Sequence, residues 1–120
     1  MSGSQKERRI VKIAFDISGV ISKYPDEMRQ LMALPDAEIF VITDMHEKTE
    51  VLKMLTDNGF MISEDHVLCA DYATYGEMCK AVLLRDLKID ILLDDFVGYM
   101  QWDSSFGKAP IRRKWYGPKE

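Results

Sequence analysis

The sequence predicts one α/β domain built on a parallel β-sheet. Short apolar runs rich in β-branched residues alternate with segments of helical periodicity, and this alternation favours parallel strands joined by right-handed crossovers. Each of the clearest apolar runs ends at an aspartate or a threonine. A chain of 120 residues can build one hydrophobic core but is too short for two independent domains. We therefore expect a single domain over residues 1–120, with its core at about 10–103.

The first strand is predicted at Ile10–Phe15, a β-branched run that ends at Asp16 and is soon followed by Gly19. A short helix is predicted over about 25–33, because a proline at its first position is followed by two acidic residues. Apolar residues then recur at helical spacing until Pro35 ends the helix.

The second strand is predicted at Glu38–Ile42 and closes at Thr43 and Asp44. A longer helix follows and ends at the pair Asn58-Gly59, a typical C-terminal signal. The apolar face of this helix carries Val51, Leu52 and Leu55.

Three further elements complete the predicted sheet and its crossovers. His66–Cys69 is a candidate third strand, Tyr75–Lys88 has helical periodicity, and Ile89–Leu93 is predicted as a buried strand that ends at Asp94-Asp95. Ligands of open parallel sheets bind beyond the carboxyl ends of the strands. We therefore expect the polar residues at three strand ends to share one rim: Asp16, Thr43 and the Asp94-Asp95 pair.

Four short motifs appear in a characteristic order along these elements. They are Phe15-Asp16-Ile17-Ser18-Gly19-Val20, Val41-Ile42-Thr43-Asp44, Lys80-Ala81 and Leu92-Leu93-Asp94-Asp95. In this order the chain resembles the haloacid dehalogenase superfamily of phosphotransferases over about residues 10–102. The resemblance implies a three-layer α/β/α fold with a Rossmann-like parallel sheet.

The resemblance also implies a role for each motif. Asp16 would attack a phosphoryl group and form an aspartyl-phosphate, and Thr43 and Lys80 would stabilise the charge on the phosphate oxygens. Ser18, Gly19 and Asp44 would line the substrate site beside them. Mg²⁺ would be held by the Asp16 carboxylate, the Ser18 backbone carbonyl and a carboxylate of Asp94 or Asp95, oxygen ligands that suit this ion.

One position departs from the family pattern. Phosphatases of the family carry a second aspartate two positions after the nucleophile, where it transfers protons, and here that position is Ser18. A serine hydroxyl does not ionise near neutral pH, so it cannot transfer a proton as a carboxylic acid does, and general acid–base catalysis contributes about 10² to 10⁴ in rate. We therefore expect impaired or altered phosphatase activity. Asp44 and His46 are alternative proton carriers, although the preferred interpretation is that Asp44 caps the next helix and His46 is exposed.

The spacing of the motifs leaves no room for a cap domain. Only 26 residues separate Asp16 from Thr43 and 36 separate Thr43 from Lys80, and the predicted helices and strands use nearly all of them. A phosphorylated substrate or ligand would then bind at an open site, which a second subunit in a homo-oligomer could close.

Charge is distributed unevenly along the chain. The net charge of −4 divides into +3 over residues 1–12, −11 over 13–103 and +4 over 104–120. The last segment combines basic residues with aromatics, a composition that can bind single-stranded nucleic acid, although packing of these aromatics on the body or on a second subunit is the favoured interpretation.

The remaining composition bears on the location of the protein. No apolar run reaches the roughly 18 residues of a membrane-spanning helix, so we expect no membrane partner. Cys69 and Cys79 have no metal-ligand or redox spacing, and two reduced thiols are typical of a cytoplasmic protein.

Three functions follow from these observations. The leading hypothesis is a Mg²⁺-dependent phosphohydrolase with Asp16 as nucleophile and weakened activity. The alternatives are a catalytically inactive module that binds phosphate-bearing partners or assembles with another protein, and a phosphatase acting on nucleic-acid or nucleotide phosphate ends.

Overall fold

The computed structural model describes residues 10–95 and the strand residues 114–115. Short helical turns at Ile17–Ile21, Glu64–His66 and Gly76–Met78 join some of the larger elements. The main elements in chain order are β1 (Val11–Phe15), α1 (Pro25–Met32), β2 (Ala37–Thr43), α2 (Lys48–Asp57), β3 (Val67–Cys69), α3 (Tyr72–Tyr75), α4 (Cys79–Leu87), β4 (Ile91–Leu93) and β5 (Lys114–Trp115).

The strands form one sheet in the order β3-β2-β1-β4-β5, and every pairing is parallel. The predicted α/β domain with a parallel sheet is therefore confirmed. The chain builds outward from β1 to β3 and then crosses back to place β4 on the other side of β1. The strand order thus reverses between β1 and β4, and this reversal opens a crevice at their carboxyl ends, where parallel sheets bind ligands.

The core consists of two hydrophobic clusters, because successive side chains of a strand point to opposite faces of the sheet. In β1, Ile13 and Phe15 contribute to one cluster and Ala14 to the other. The first cluster also receives the buried residues of α1 and α2, namely Met28, Val51 and Leu55. The second receives buried residues of α4, namely Cys79 and Leu84.

The second half of the chain differs from the predicted elements at two places. Gly76 has a positive φ of 60° and interrupts the helix expected over 75–88, so that α3 and α4 are separate. Lys88 adopts a left-handed conformation at the end of α4, and the Ile89 amide donates to the Leu84 carbonyl. This capped turn uses the first two residues of the predicted strand, so β4 begins only at Ile91.

The C-terminal segment was expected to be a tail, yet Lys114–Trp115 pairs with β4 as a fifth strand. A strand of two residues is too short to produce a periodic signal in the sequence. The other residues of the basic and aromatic segment, and with them the nucleic-acid hypothesis, lie outside the described residues. Within residues 10–95, no helix has the length and apolar character needed to cross a membrane.

Candidate active site

Four polar or charged side chains are buried among the described residues, and all four belong to the predicted site. They are Asp16, Thr43, Lys80 and Asp94. Asp16 follows β1, Thr43 ends β2 and Asp94 follows β4, while Lys80 comes from the first turn of α4. Burying such groups in an otherwise apolar core is costly unless they are paired. Their joint burial at the strand ends therefore points to a site.

Lys80 joins two of the three strand ends by direct ion pairs. Its Nζ lies 2.7 Å from Oδ1 of Asp16 and 2.8 Å from Oδ2 of Asp94. The Lys80 side chain is 0% exposed, and its ammonium donates to both carboxylates. The sequence predicted that Lys80 would meet phosphate oxygens, and the structure adds that it holds β1 and β4 together at the crevice.

The cluster shifts the ionisation of its members. The pKa of Asp16 is raised to about 7, chiefly by burial and also by the nearby Asp94 charge, with Lys80 acting in the opposite direction. Burial alone would lower the pKa of Lys80, but the two carboxylates outweigh it and the net shift is upward. One ammonium thus compensates only part of the negative charge gathered around it.

Three carboxylates in this cluster could hold a metal ion. Asp16, Asp94 and Asp95 each offer an oxygen, and these oxygens lie within 4.8 Å of one another. Carboxylate oxygens are the donors that Mg²⁺ prefers, and a divalent cation would compensate the excess negative charge. The residues present therefore fit the predicted ion, with Asp95 as the exposed member of the set.

The turn Ile17–Ile21 carries the other residues predicted from the first motif. Gly19 has φ of +79°, a conformation that favours glycine. A Cβ at this position would lie 1.9 Å from Oδ2 of Asp95, so the carboxylate occupies the space where a side chain would be. Ser18 lies one residue earlier, in the same turn. The structure thus gives Gly19 a role that the sequence did not predict, which is to admit Asp95.

The end of β2 places the threonine motif beside Asp16. Phe15 pairs with Val41, so Asp16 and Thr43 leave neighbouring strands at the same edge of the sheet. Thr43 is 1% exposed and its Oγ1 accepts a hydrogen bond of 3.2 Å from the Met45 amide. This bond turns the chain sharply away from the strand end.

The two residues considered as replacement proton carriers lie after this turn. Asp44 and His46 are both exposed, as predicted for His46. The prediction that Asp44 caps the next helix is wrong, because α2 begins later and its N-cap is Glu47. The turn that follows Thr43 places Asp44, Met45 and His46 ahead of the helix, so α2 begins only at Lys48.

A second polar cluster, which sequence reasoning missed, lies near the other ends of the strands. The Nε2 of His66 lies 2.8 Å from Oε2 of Glu38, and its ring stacks on Phe40 with centroids 4.6 Å apart. The hydrogen bond that the His66 ring donates to the Glu38 carboxylate is the main cause of the raised pKa of His66. Glu38 and Phe40 share a face of β2, and this two-residue spacing was the available signal. The cluster ties β3 to β2.

A surface groove of about 430 Å³ also lies apart from the aspartates. It is lined in part by Arg29, Ile39, Phe60 and Ser63 and shares no lining residue with the acidic cluster. This groove is therefore separate from the acidic cluster at the strand ends.

Comparison with known protein families, curated proteins and solved structures gives no match to this chain. Inferences about function therefore depend on the geometry of the acidic cluster and on the order of its motifs.

Proposed function

We propose that this chain is a Mg²⁺-dependent phosphohydrolase of the haloacid dehalogenase-like type, with a three-layer α/β/α fold, no cap domain and weakened turnover. The observation that carries the proposal is the buried Lys80, which contacts both Asp16 and Asp94. Neither a purely structural lysine nor a random loop acid explains why the only buried charges among residues 10–95 meet at the switch point of the sheet.

Asp16 would be the nucleophile. One of its carboxylate oxygens would attack phosphorus, and the bond between phosphorus and the leaving oxygen would break, which gives an aspartyl-phosphate. The ammonium of Lys80 and the hydroxyl of Thr43 would donate hydrogen bonds to the phosphoryl oxygens as negative charge develops there. Both donors are already held by the fold, so little reorganisation is needed.

The ion would be held by the carboxylates of Asp16, Asp94 and Asp95, with the backbone carbonyl of Ser18 as a further oxygen ligand. When bound, it neutralises charge between two anions that would otherwise repel each other. Asp94 already accepts a bond from Lys80, whereas Asp95 is exposed beside Gly19. Asp95 would therefore be the ligand that is exposed to solvent, and Asp94 would remain paired with Lys80.

The residue at position 18 sets the rate. Without a carboxylic acid there, the leaving group must depart without a proton and water must attack without a base, and each loss costs about 10² to 10⁴ in rate. We therefore expect slow turnover, limited to substrates whose leaving groups are stable as anions.

The alternative is an inactive module that binds phosphate-bearing partners. It is favoured by the same lysine, because two ion pairs to Lys80 stabilise the buried carboxylates without any metal. In that case Thr43 and Lys80 would bind a phosphoryl group but no bond to Asp16 would form.

The two functions are separated by calorimetric titration with Mg²⁺ followed by hydrolysis of nitrophenyl phosphate. The phosphohydrolase requires Mg²⁺ binding, slow Mg²⁺-dependent release of nitrophenolate, and loss of that release in Asp16→Asn. The matched control is Asp57→Asn, since Asp57 is an exposed acid paired with Lys53 on α2. This control should leave both measurements unchanged.

A further variant tests the explanation for slow turnover. Ser18→Asp restores the missing acid and should raise the rate by at least about tenfold. If the wild-type chain binds Mg²⁺ weakly or not at all and neither form releases nitrophenolate, the phosphohydrolase is excluded and the binding module is supported.

A further inference from the structure

The surface groove near the amino end of β2 is a concave site that the proposed reaction does not use. It lies between the end of α1, the strand β2 and the segment that joins α2 to β3. Its volume of about 430 Å³ falls within the range of about 300–1,000 Å³ that is typical of small-molecule sites. Since it shares no lining residue with the acidic cluster, a ligand bound there would be independent of the chemistry proposed for Asp16.

Most of the groove wall is apolar. Met32, Ile39 and Ile62 line it and are half-buried against the first hydrophobic cluster. Phe60 belongs to the same wall and is 2% exposed, whereas Met61 is 90% exposed at the open side. Apolar surface that remains in contact with water is stabilised when a ligand covers it. The groove can therefore hold the apolar body of a small molecule.

The polar part of the wall is formed by an arginine and a serine. The Arg29 guanidinium lies over the Phe60 ring, 5.2 Å from its centroid, and donates to the Asn58 carbonyl and to Asp26. A guanidinium has five N–H groups, so three of those on Arg29 have no partner among the described residues. The Ser63 hydroxyl also lacks a partner within residues 10–95. Both side chains can donate to a ligand.

The charge of the wall favours an anion. None of the described residues that line the groove is acidic. The Asp26 side chain lies outside the groove and is 77% exposed, so its pair with Arg29 is weak. His66 also lines the groove, but its ring nitrogens already contact Glu38 and Asp65. Among these lining residues Arg29 is therefore the cation available to a ligand, and a guanidinium binds a carboxylate through two parallel hydrogen bonds.

We propose that this groove binds a small carboxylate with an apolar body. The body packs against Ile39 and Phe60, and the carboxylate accepts hydrogen bonds from Arg29 and Ser63. Because Phe60 and the Asn58 carbonyl already hold the guanidinium in place, little side-chain freedom is lost on binding. A neutral molecule of the same shape gains the apolar contacts alone.

The test compares two probes, naphthoate and naphthylmethanol, which share one ring system and differ in charge. Each is titrated into the isotopically labelled full chain, and binding is followed by the amide signals of Gly59 and Ser63. EDTA is present, so that no metal at the acidic cluster can bind the carboxylate. A ligand of about 13 non-hydrogen atoms should bind with a Kd of about 1 mM or lower. The neutral probe should bind at least about tenfold more weakly, since it lacks the charged hydrogen bonds.

Met61 offers a matched pair of variants, because a side chain that is 90% exposed can be replaced without disturbing the core. Met61→Glu adds a negative charge beside the groove and should weaken naphthoate binding about fivefold. Met61→Gln has a similar length and no charge, and should change it by less than about twofold. Both variants should bind naphthylmethanol equally.

Arg29 is tested by the ratio of the two affinities, which does not depend on how much of the protein is folded. Arg29→Gln should remove most of the preference for naphthoate over naphthylmethanol. Lys53→Gln is the control, because Lys53 is an exposed cation that does not line the groove. This control should keep the preference of the wild-type chain.

Several results would overturn the proposal. They are the absence of saturable naphthoate binding up to about 10 mM, equal affinities for the two probes, and equal naphthoate affinities of Met61→Glu and Met61→Gln. Self-association of the wild-type chain that Met61→Glu abolishes would mean that a second copy covers the groove, which also contradicts a small-molecule site. Each of these results leaves the phosphohydrolase intact, because hydrolysis at Asp16 is measured separately.

Discussion

Lys80 combines complete burial with two ion pairs, and single residues of this kind have large effects on stability. Its ammonium lies within 2.8 Å of carboxylates from two different strand ends. A buried pair contributes little net stability compared with apolar residues of the same volume, but removal of one partner leaves a charge uncompensated. The free energy of unfolding that is lost when Lys80 is substituted therefore measures how strongly the buried carboxylates depend on its ammonium group.

We expect Lys80→Met to lower the free energy of unfolding by about 3–5 kcal/mol, measured by urea denaturation in EDTA at neutral pH. Lys53→Met is the matched control, because its pair with Asp57 has side chains 75% and 58% exposed. Exposed pairs of this kind contribute about 0–1 kcal/mol. Similar losses in the two variants would show that the buried pairs are not as the structure has them.

The raised pKa of Asp16 predicts how the stability of the metal-free protein depends on pH. Its folded pKa of about 7 lies above the ordinary value of 3.8, so the folded chain binds this proton more tightly than the unfolded chain. The contribution of Asp16 to stability is therefore greatest below about pH 4 and is lost as pH rises from about 4 to about 7. His66, whose pKa is also raised, contributes a fall of the same sign.

The Asp16→Asn variant separates the contribution of Asp16 to the pH dependence of stability from that of His66. In EDTA, the urea midpoint of the wild-type chain should fall more steeply between pH 5 and about 7 than that of the variant. Added Mg²⁺ should flatten the wild-type curve, because a cation beside Asp16 favours its ionised form. Parallel curves for the two proteins would exclude a raised pKa at Asp16.

Among the elements, the turn Ile17–Ile21 shows the closest fit between backbone and site. Gly19 combines a positive φ with close approach of the Asp95 carboxylate. Gly59 also has a positive φ, +83°, but a Cβ there would lie 3.8 Å from its nearest neighbour, Nη1 of Arg29. These two glycines separate the cost of backbone strain from the cost of displacing a carboxylate.

Gly19→Ala and Gly59→Ala should each lose about 1–2 kcal/mol of stability through backbone strain. Only Gly19→Ala should also weaken Mg²⁺ binding, by about tenfold or more, because the new methyl group displaces Asp95. The check is calorimetric titration of both variants with Mg²⁺. Equal affinities would show that Asp95 does not bind the ion.

The helices and strands also show which parts of the fold a sequence pattern can predict. The strands that end at Asp16 and Thr43 were predicted because apolar periodicity and polar strand ends are local features. Gly76 and Lys88 have positive φ angles, which apolar periodicity does not register, and they altered the predicted helix and the last strand. The Asp95–Gly19 contact joins distant segments, and no local pattern reports it. For the Glu38–His66 pair, the local signal was limited to the spacing of Glu38 and Phe40 on one face of β2 and did not point to His66.

At the scale of the whole molecule, the two hydrophobic clusters share the strands of one sheet. β1 supplies residues to both clusters, and so do β2 and β4. A loss of packing on one face therefore weakens the sheet that the other face needs, and the described domain should unfold as one unit.

Leu55→Ala and Leu84→Ala test this coupling, since both leucines are 2% exposed and lie in different clusters. Each should lower the free energy of unfolding by about 2–5 kcal/mol. Urea denaturation followed by far-ultraviolet circular dichroism should give a single transition with an unchanged slope in both. Two separate transitions in either variant would mean that the faces unfold independently.

The pairing of β1 with β4 has a consequence for how the chain acquires its structure. Ile13 pairs with Ile91, and the Lys80–Asp16 bond spans 64 residues of sequence. Contacts of such long separation form slowly, because a long loop must close before they stabilise anything. During synthesis, Asp16 leaves the ribosome long before Lys80 and Asp94 exist. The acidic crevice is thus completed after the β1–β2–β3 half, and in an emerging chain Asp16 stays exposed until the later segment arrives.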